Sequence, residues 1–155
     1  MIVKEMKGKN MSSKNRTLLA KVRIAALVAL TTSVAAHADD VTGKDRILCS
    51  SSKVMLCVED GLCFEISVLD ADAPQFLIID TKKKTVATTE ASGDKRESPV
   101  ANMSRVDGRI FLQGVENNRA YSILIEEKFG RFSAAIARDG ITVSAFGACT
   151  DADIS

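Results

Sequence analysis

The chain has 155 residues, with 21 Lys/Arg against 20 Asp/Glu and one histidine, a length that ordinarily makes one domain. Residues 1–38 hold seven of the basic and one of the acidic side chains, so residues 39–155 carry 14 against 19, and a mildly acidic domain is a poor candidate for nucleic-acid binding. The histidine, His37, lies in the N-terminal segment, which leaves the rest of the chain without Ser-His-Asp or Cys-His catalysis and without histidine-ligated zinc.

The first element in chain order is an export signal. Arg16, Lys21 and Arg23 form a basic flank, and Ile24 to Val34 is apolar apart from Thr31, Thr32 and Ser33. Ala36-His37-Ala38 then has the small-x-small pattern of a cleavage site. A membrane-spanning helix needs about 20 apolar residues, and the run from Ile24 to Ala38 is shorter and broken by hydroxyls. The sequence therefore predicts a cleavable signal over residues 1–38 and a single β domain over residues 39–155, with no membrane span after cleavage. Met11 offers a second start that gives a signal of more ordinary length. No cysteine follows the cleavage point, so a lipid-anchored form lacks its acceptor. The expected location is periplasmic or secreted.

Four cysteines, an even number, suggest disulfides in an exported chain, with three possible pairings. Hairpin register selects one of them. A three-residue loop Glu59-Asp60-Gly61, with Gly61 left-handed, sets Val58 opposite Leu62. Leu56 then faces Phe64 and Val54 faces Ile66, all on one face, while Cys57 meets Cys63 on the other. A two-residue turn would scramble both faces. By elimination Cys49 pairs with Cys149, joining the first strand to the last. A four-Cys zinc site is the alternative, but the spacing of Cys57 and Cys63 is not that of a zinc knuckle.

Period-two alternation recurs down the rest of the chain, with turn residues between the runs. Gln75 to Thr81 reads as a strand, Lys82-Lys83-Lys84 as a turn, and Thr85 to Glu90 as the returning strand. Ala91 to Pro99 reads as an exposed polar loop. Val100 to Val106 and Arg109 to Val115 flank the hairpin signal Asp107-Gly108. Ala120 to Glu126 follows, and then a pair of strands around Asp139-Gly140 that sets Ile136 opposite Val143, Ala134 opposite Ala145 and Phe132 opposite Gly147. Gly114 and Gly147 fall inside strands, at barrel bends or ligand contacts. The fold class is all-β: a small antiparallel meander of about eight or nine strands closing into a β-barrel or barrel-like sandwich, stapled by disulfides.

Residues with chemical potential are few. The carboxylate pairs Asp70/Asp72, Asp151/Asp153 and Glu126/Glu127 sit on turns and read as solvated. Ser50, Ser51 and Ser52 have no histidine to activate them. No catalytic residue, metal site or cofactor is assigned. The loop 91–99 supplies the binding candidates Ser92, Asp94, Lys95 and Arg96, of which Arg96 can make a bidentate pair with a carboxylate.

The stretch Asp107-Gly108-Arg109-Ile110, Leu112-Gln113-Gly114, Tyr121-Ser122-Ile123-Leu124-Ile125, Gly130-Arg131 and the closing Phe146-Gly147-Ala148-Cys149-Thr150 resembles a family of small exported proteobacterial proteins of unassigned function. In that family an early cysteine cluster precedes a Phe-x-x-x-Asp strand, here Phe76 to Asp80. The resemblance implies an envelope setting and brings no catalytic residues. A weaker similarity is to inhibitors of c-type lysozyme, small closed β-barrels with an inhibitory Ser-Gly loop, matched here by Ser92-Gly93. The resulting expectation is a non-enzymatic binding module of the bacterial envelope. Its partner is an envelope or extracellular protein or a small ligand. The alternatives are an inhibitor of a secreted hydrolase such as lysozyme, acting through the 91–99 loop, and a small-ligand carrier.

Overall fold

The computed structural model describes residues 38–93 and 95–153. The expected signal up to His37, and Asp94, lie outside the described residues. Ten antiparallel strands follow one another: β1 (Arg46–Val58), β2 (Cys63–Ile66), β3 (Phe76–Asp80), β4 (Thr85–Thr88), β5 (Glu97–Pro99), β6 (Asn102–Val106), β7 (Arg109–Glu116), β8 (Arg119–Glu126), β9 (Arg131–Arg138) and β10 (Ile141–Asp151). Short 3₁₀ turns at Glu90–Ser92 and Glu127–Phe129 complete the described residues, which include no α-helix.

The sheet order is β5-β4-β3-β1-β10-β9-β8-β7-β6, with β2 added to the outer half of β1. Apart from that addition, neighbours in space are neighbours in sequence, except where the first and last strands meet. The architecture is therefore a meander curled into a half-barrel, with the pairing of its first and last strands, β1 and β10, inside the sheet and not at an edge. Pairing of β1 with β10 is the longest in the sheet, from Ile47 opposite Asp151 to Val58 opposite Ile141. Cys49 stands opposite Cys149 in that ladder and is bonded to it, while Cys57 is bonded to Cys63 across the β1–β2 hairpin. The hairpin has the expected register, with Leu56 opposite Phe64 and Val54 opposite Ile66.

The remaining edges, β5 and β6, are consecutive in the chain and share no strand pairing among the described residues. Two residues span the seam between them. The Val100 amide donates to the Lys84 carbonyl at 2.9 Å, and the next amide, Ala101, donates to the Gln113 carbonyl of β7 at 2.9 Å. A single bent segment thus binds β4 with its first half and β7 with its second.

Alternation explains the core. Val54, Ala145, Ala134, Ile123 and Leu112 stand opposite one another in turn across β1, β10, β9, β8 and β7, and all are buried. Ile47, Ile79, Ile110 and Ile125 are fully enclosed, each worth about 1.5–3 kcal/mol relative to exposure. Ladder register shifts between Ser51 and Lys53 of β1, opposite Gly147. A Cβ on Gly147 would lie 1.9 Å from the Ser50 carbonyl oxygen and 2.4 Å from Phe132 Cε1. Glycine is there because β1 and a core aromatic ring both approach the backbone.

One end of the barrel is plugged by residues 39–44. Val41 is fully buried, and its amide donates to the Glu127 carbonyl at 2.8 Å. The Glu127 carboxylate, 3% exposed, accepts from the Gly43 amide and pairs with Arg105, each at 3.2 Å. The other end is open.

Two expectations are corrected. Residues 91–99 are not a free loop, because they hold part of a 3₁₀ turn and all of β5. Glu127 is not a solvated turn carboxylate, because it is buried under residues 39–44. In the β1–β2 hairpin Leu62 and Phe64 are 63% and 46% exposed. The hairpin runs past the rim, beyond the strands that would cover it.

Candidate functional site at the open end

β5 and β6 run in the same direction across the seam, so the β4–β5 and β7–β8 connections fall at one end, and the β2–β3 segment folds over that end, which brings Asp72, Arg96 and Glu116 to one rim although they are far apart in sequence. They surround a cavity of about 80 Å³ that reaches into the barrel. Its inner wall is apolar, formed by Leu77, Ile123, Phe132, Ala134, Ile136 and Ala145.

The segment 67–75 covers part of this end. Ala71 anchors it in the core, and the Ser51 hydroxyl donates to the Pro74 carbonyl at 3.2 Å. Arg119, at the start of β8, fastens the segment from the other side. It donates to the Asp72 carbonyl at 3.1 Å and pairs with the Asp72 carboxylate.

Arg96 occupies the facing rim. Its amide donates to Thr88 Oγ1 and its carbonyl accepts from the Thr88 amide, both at 2.8 Å, which fixes its backbone to β4. The guanidinium is two-thirds buried and lies 3.7 Å from the Glu116 carboxylate through Nη1, beyond hydrogen-bond range. Its Nε is enclosed and has no hydrogen-bond partner among the described residues. A buried donor without an acceptor is costly, so Arg96 is the least satisfied charged group at the rim.

Tyr121 lies beside it and donates to the Pro99 carbonyl at 3.5 Å. Burial, with a smaller contribution from the Glu116 carboxylate, raises its phenol above the ordinary value of 10.0. From Tyr121 an apolar row crosses the inner face of the sheet. Tyr121 stands opposite Ile136, Ile136 opposite Val143, Val143 opposite Leu56, and Leu56 opposite Phe64. Val143 is buried and Phe64 half exposed, so the row leads from the cavity out along the hairpin.

The sequence-predicted residues do not form one cluster. Ser92 faces neither the cavity nor free solvent: its hydroxyl accepts from the Phe76 amide at 2.8 Å and donates to the Phe76 carbonyl at 3.0 Å. Lys95 is exposed on the outer face, beside a separate hollow of about 320 Å³ whose rim mixes Asp80, Lys83, Glu90 and Glu97. Arg96 alone of the described candidates lines the cavity. Asp72, Glu116, Arg119 and Tyr121 were not singled out as binding residues from sequence. With 91–99 read as one connection, alternation puts the 116–119 turn at the same end as Arg96, a signal that could have found Glu116, Arg119 and Tyr121; Asp72 carries no such signal, because β2 and β3 both pair antiparallel with β1.

Among the described residues no group of three or more His, Cys, Asp or Glu side chains is placed to hold a metal, and no helix is long and apolar enough to cross a membrane. Two disulfides with no free cysteine belong to an oxidising, non-cytoplasmic setting. Compared with protein-family models, curated proteins and solved structures, the chain matches none.

Proposed function

We propose that residues 39–155 form an exported binding module of the bacterial envelope, periplasmic or secreted, which engages a partner at the open end of its barrel and turns nothing over. The observation that carries this reading is the rim itself: an apolar cavity bordered by Arg96, Glu116, Arg119 and Asp72 and continued outward by the row that ends at Phe64. Enclosed apolar walls with a few convergent polar groups are the usual make-up of a binding site. The disulfides support export, as does the resemblance to small exported proteobacterial proteins. The sequence argument against catalysis concerns residue types: after His37 the chain has no histidine, and its four thiols are committed to disulfides.

The test is capture of envelope proteins on the immobilised, oxidised protein, with Ile136→Lys as the comparison. Ile136 lines the cavity and is only partly buried, and lysine can keep its charge in water while blocking the entrance. The expected result is a partner retained by the wild type and lost from an Ile136→Lys protein of similar melting temperature. Equal retention by both overturns the site. Turnover of an envelope substrate that is lost on a single carboxylate change overturns the non-catalytic class.

A further inference from the structure

We infer that the open end binds a carboxylate carried on a short branched aliphatic group, the aliphatic part filling the cavity and the carboxylate pairing with Arg96. The inference rests on the reading of this end as the binding site and adds the chemistry of what enters it.

Size sets the apolar part. A cavity of about 150 Å³ admits benzene. By proportion the 80 Å³ here accommodates about three or four carbons, the size of an isopropyl or isobutyl group. The walls that group would meet are Leu77, Ile123, Ala134, Ile136 and Ala145, which offer it dispersion contacts and no polar partner.

Charge sets the other part. Two cations line the cavity, Arg96 and Arg119. Arg119 is committed to Asp72 by two contacts. Arg96 reaches Glu116 through Nη1, at 3.7 Å, and its Nε has no partner among the described residues. The Nε–Nη2 edge of a guanidinium matches the two oxygens of a carboxylate, and a small turn of the side chain toward the cavity presents that edge. Glu116 and Asp72 at the same rim repel a second negative charge, so a monocarboxylate fits where a phosphate dianion does not.

This chemistry has two sources: a free branched-chain acid, or the C-terminal residue of a polypeptide ending in valine or leucine. Three probes separate them when titrated into the full, oxidised protein by calorimetry and amide NMR: 3-methylbutanoate, an N-acetylated tetrapeptide ending in leucine, and the same peptide amidated. The expected result is binding of the acids, with the amidated peptide weaker by about tenfold or more. Shifts should centre on Ile136, Tyr121 and Arg96. Similar affinity for both acids assigns the free acid as ligand, and much tighter binding of the peptide assigns a polypeptide terminus. Arg96→Gln should erase the difference between acid and amide. Ala134→Leu, which keeps Arg96 and fills the cavity, should weaken both acids, so the inference stays testable if one variant folds poorly. Equal binding of acid and amide, or acid binding that survives both substitutions, overturns it. Failure of all probes, while partner capture still depends on Ile136, overturns this ligand class alone; failure of both assays overturns the site.

Discussion

Tyr121 of β8 lies across Gly114 of β7: a Cβ on that glycine would sit 2.3 Å from the phenol oxygen and 2.5 Å from Cζ. The two residues are directly opposite in the ladder. The missing side chain of one makes room for the ring of the other, which is thereby held at the rim of the cavity. Gly114→Ala should push the ring out of its seat, at a cost of about 1–3 kcal/mol in stability, and should weaken binding at the open end beyond that loss. Gly114→Ala combined with Tyr121→Ala should recover part of the stability but not the binding. Urea unfolding and ligand titration on the single and double variants check both statements.

Removal of either disulfide should destabilise the domain, but unequally. Cys49 and Cys149 are 100 residues apart and Cys57 and Cys63 only six. In the chain-entropy model the long closure is worth about 4.7 kcal/mol and the short one about 2 kcal/mol. Cys149→Ser should therefore lower the unfolding free energy more than Cys63→Ser, measured by denaturant titration of the two proteins side by side.

Arg105 and Glu127 hold the plugged end. The carboxylate is buried, and its partners are the Arg105 side chain and the Gly43 amide. Arg105→Leu leaves the carboxylate short of its cation and should cost about 2–3 kcal/mol. Adding Glu127→Leu should return part of that loss, because the unpaired charge is then gone. A thermal-melting cycle over the two single variants and the double variant gives the sign of the second step.

Stability should be flat near neutrality and fall at both extremes. Hydrogen bonds from Lys44 and Lys82 hold Asp151 and Asp45 below the ordinary aspartate value of 3.8. Stability from such lowered groups is complete above that value and is lost as pH falls through the native one. The partner lysines are raised above 10.5 and Tyr121 above 10.0, so their contributions are complete below those values and are lost as pH rises through the native ones. The lysine–aspartate pairs are exposed, and salt should flatten the acid side. Burial dominates at Tyr121, so Tyr121→Phe rather than salt should reduce the alkaline loss. Urea midpoints across pH, at low and high salt, check all three effects.

Much of the fold was legible because register is a local property. The Asp139-Gly140 turn sets Ile136 opposite Val143, and the three-residue loop before Leu62 sets Cys57 opposite Cys63, as observed. From that register the pairing of Cys49 with Cys149 followed, and with it the meeting of the first and last strands. The site was less legible. The sequence marks Arg96 as a carboxylate partner, but within a solvated loop, and it groups Ser92 with Arg96 because polar residues in a Gly-containing stretch look like a loop. What decides their positions is the seam, where Glu97 to Pro99 pairs with β4 before the chain crosses to β7. Three residues without clear alternation carry no periodic signal for such a strand. The row from Tyr121 to Phe64 involves five strands, and it emerges only once the whole strand order is known.

The claim that binding occurs at the open end is tested most directly by a photo-crosslinking side chain placed in turn at Asn117, exposed on the cavity rim, and at Phe129, half exposed in the turn at the far end of β8. With the partner present, the account predicts a crosslink from position 117 that is abolished by Ile136→Lys, and none from position 129. A crosslink formed from position 129 but not from 117 contradicts it.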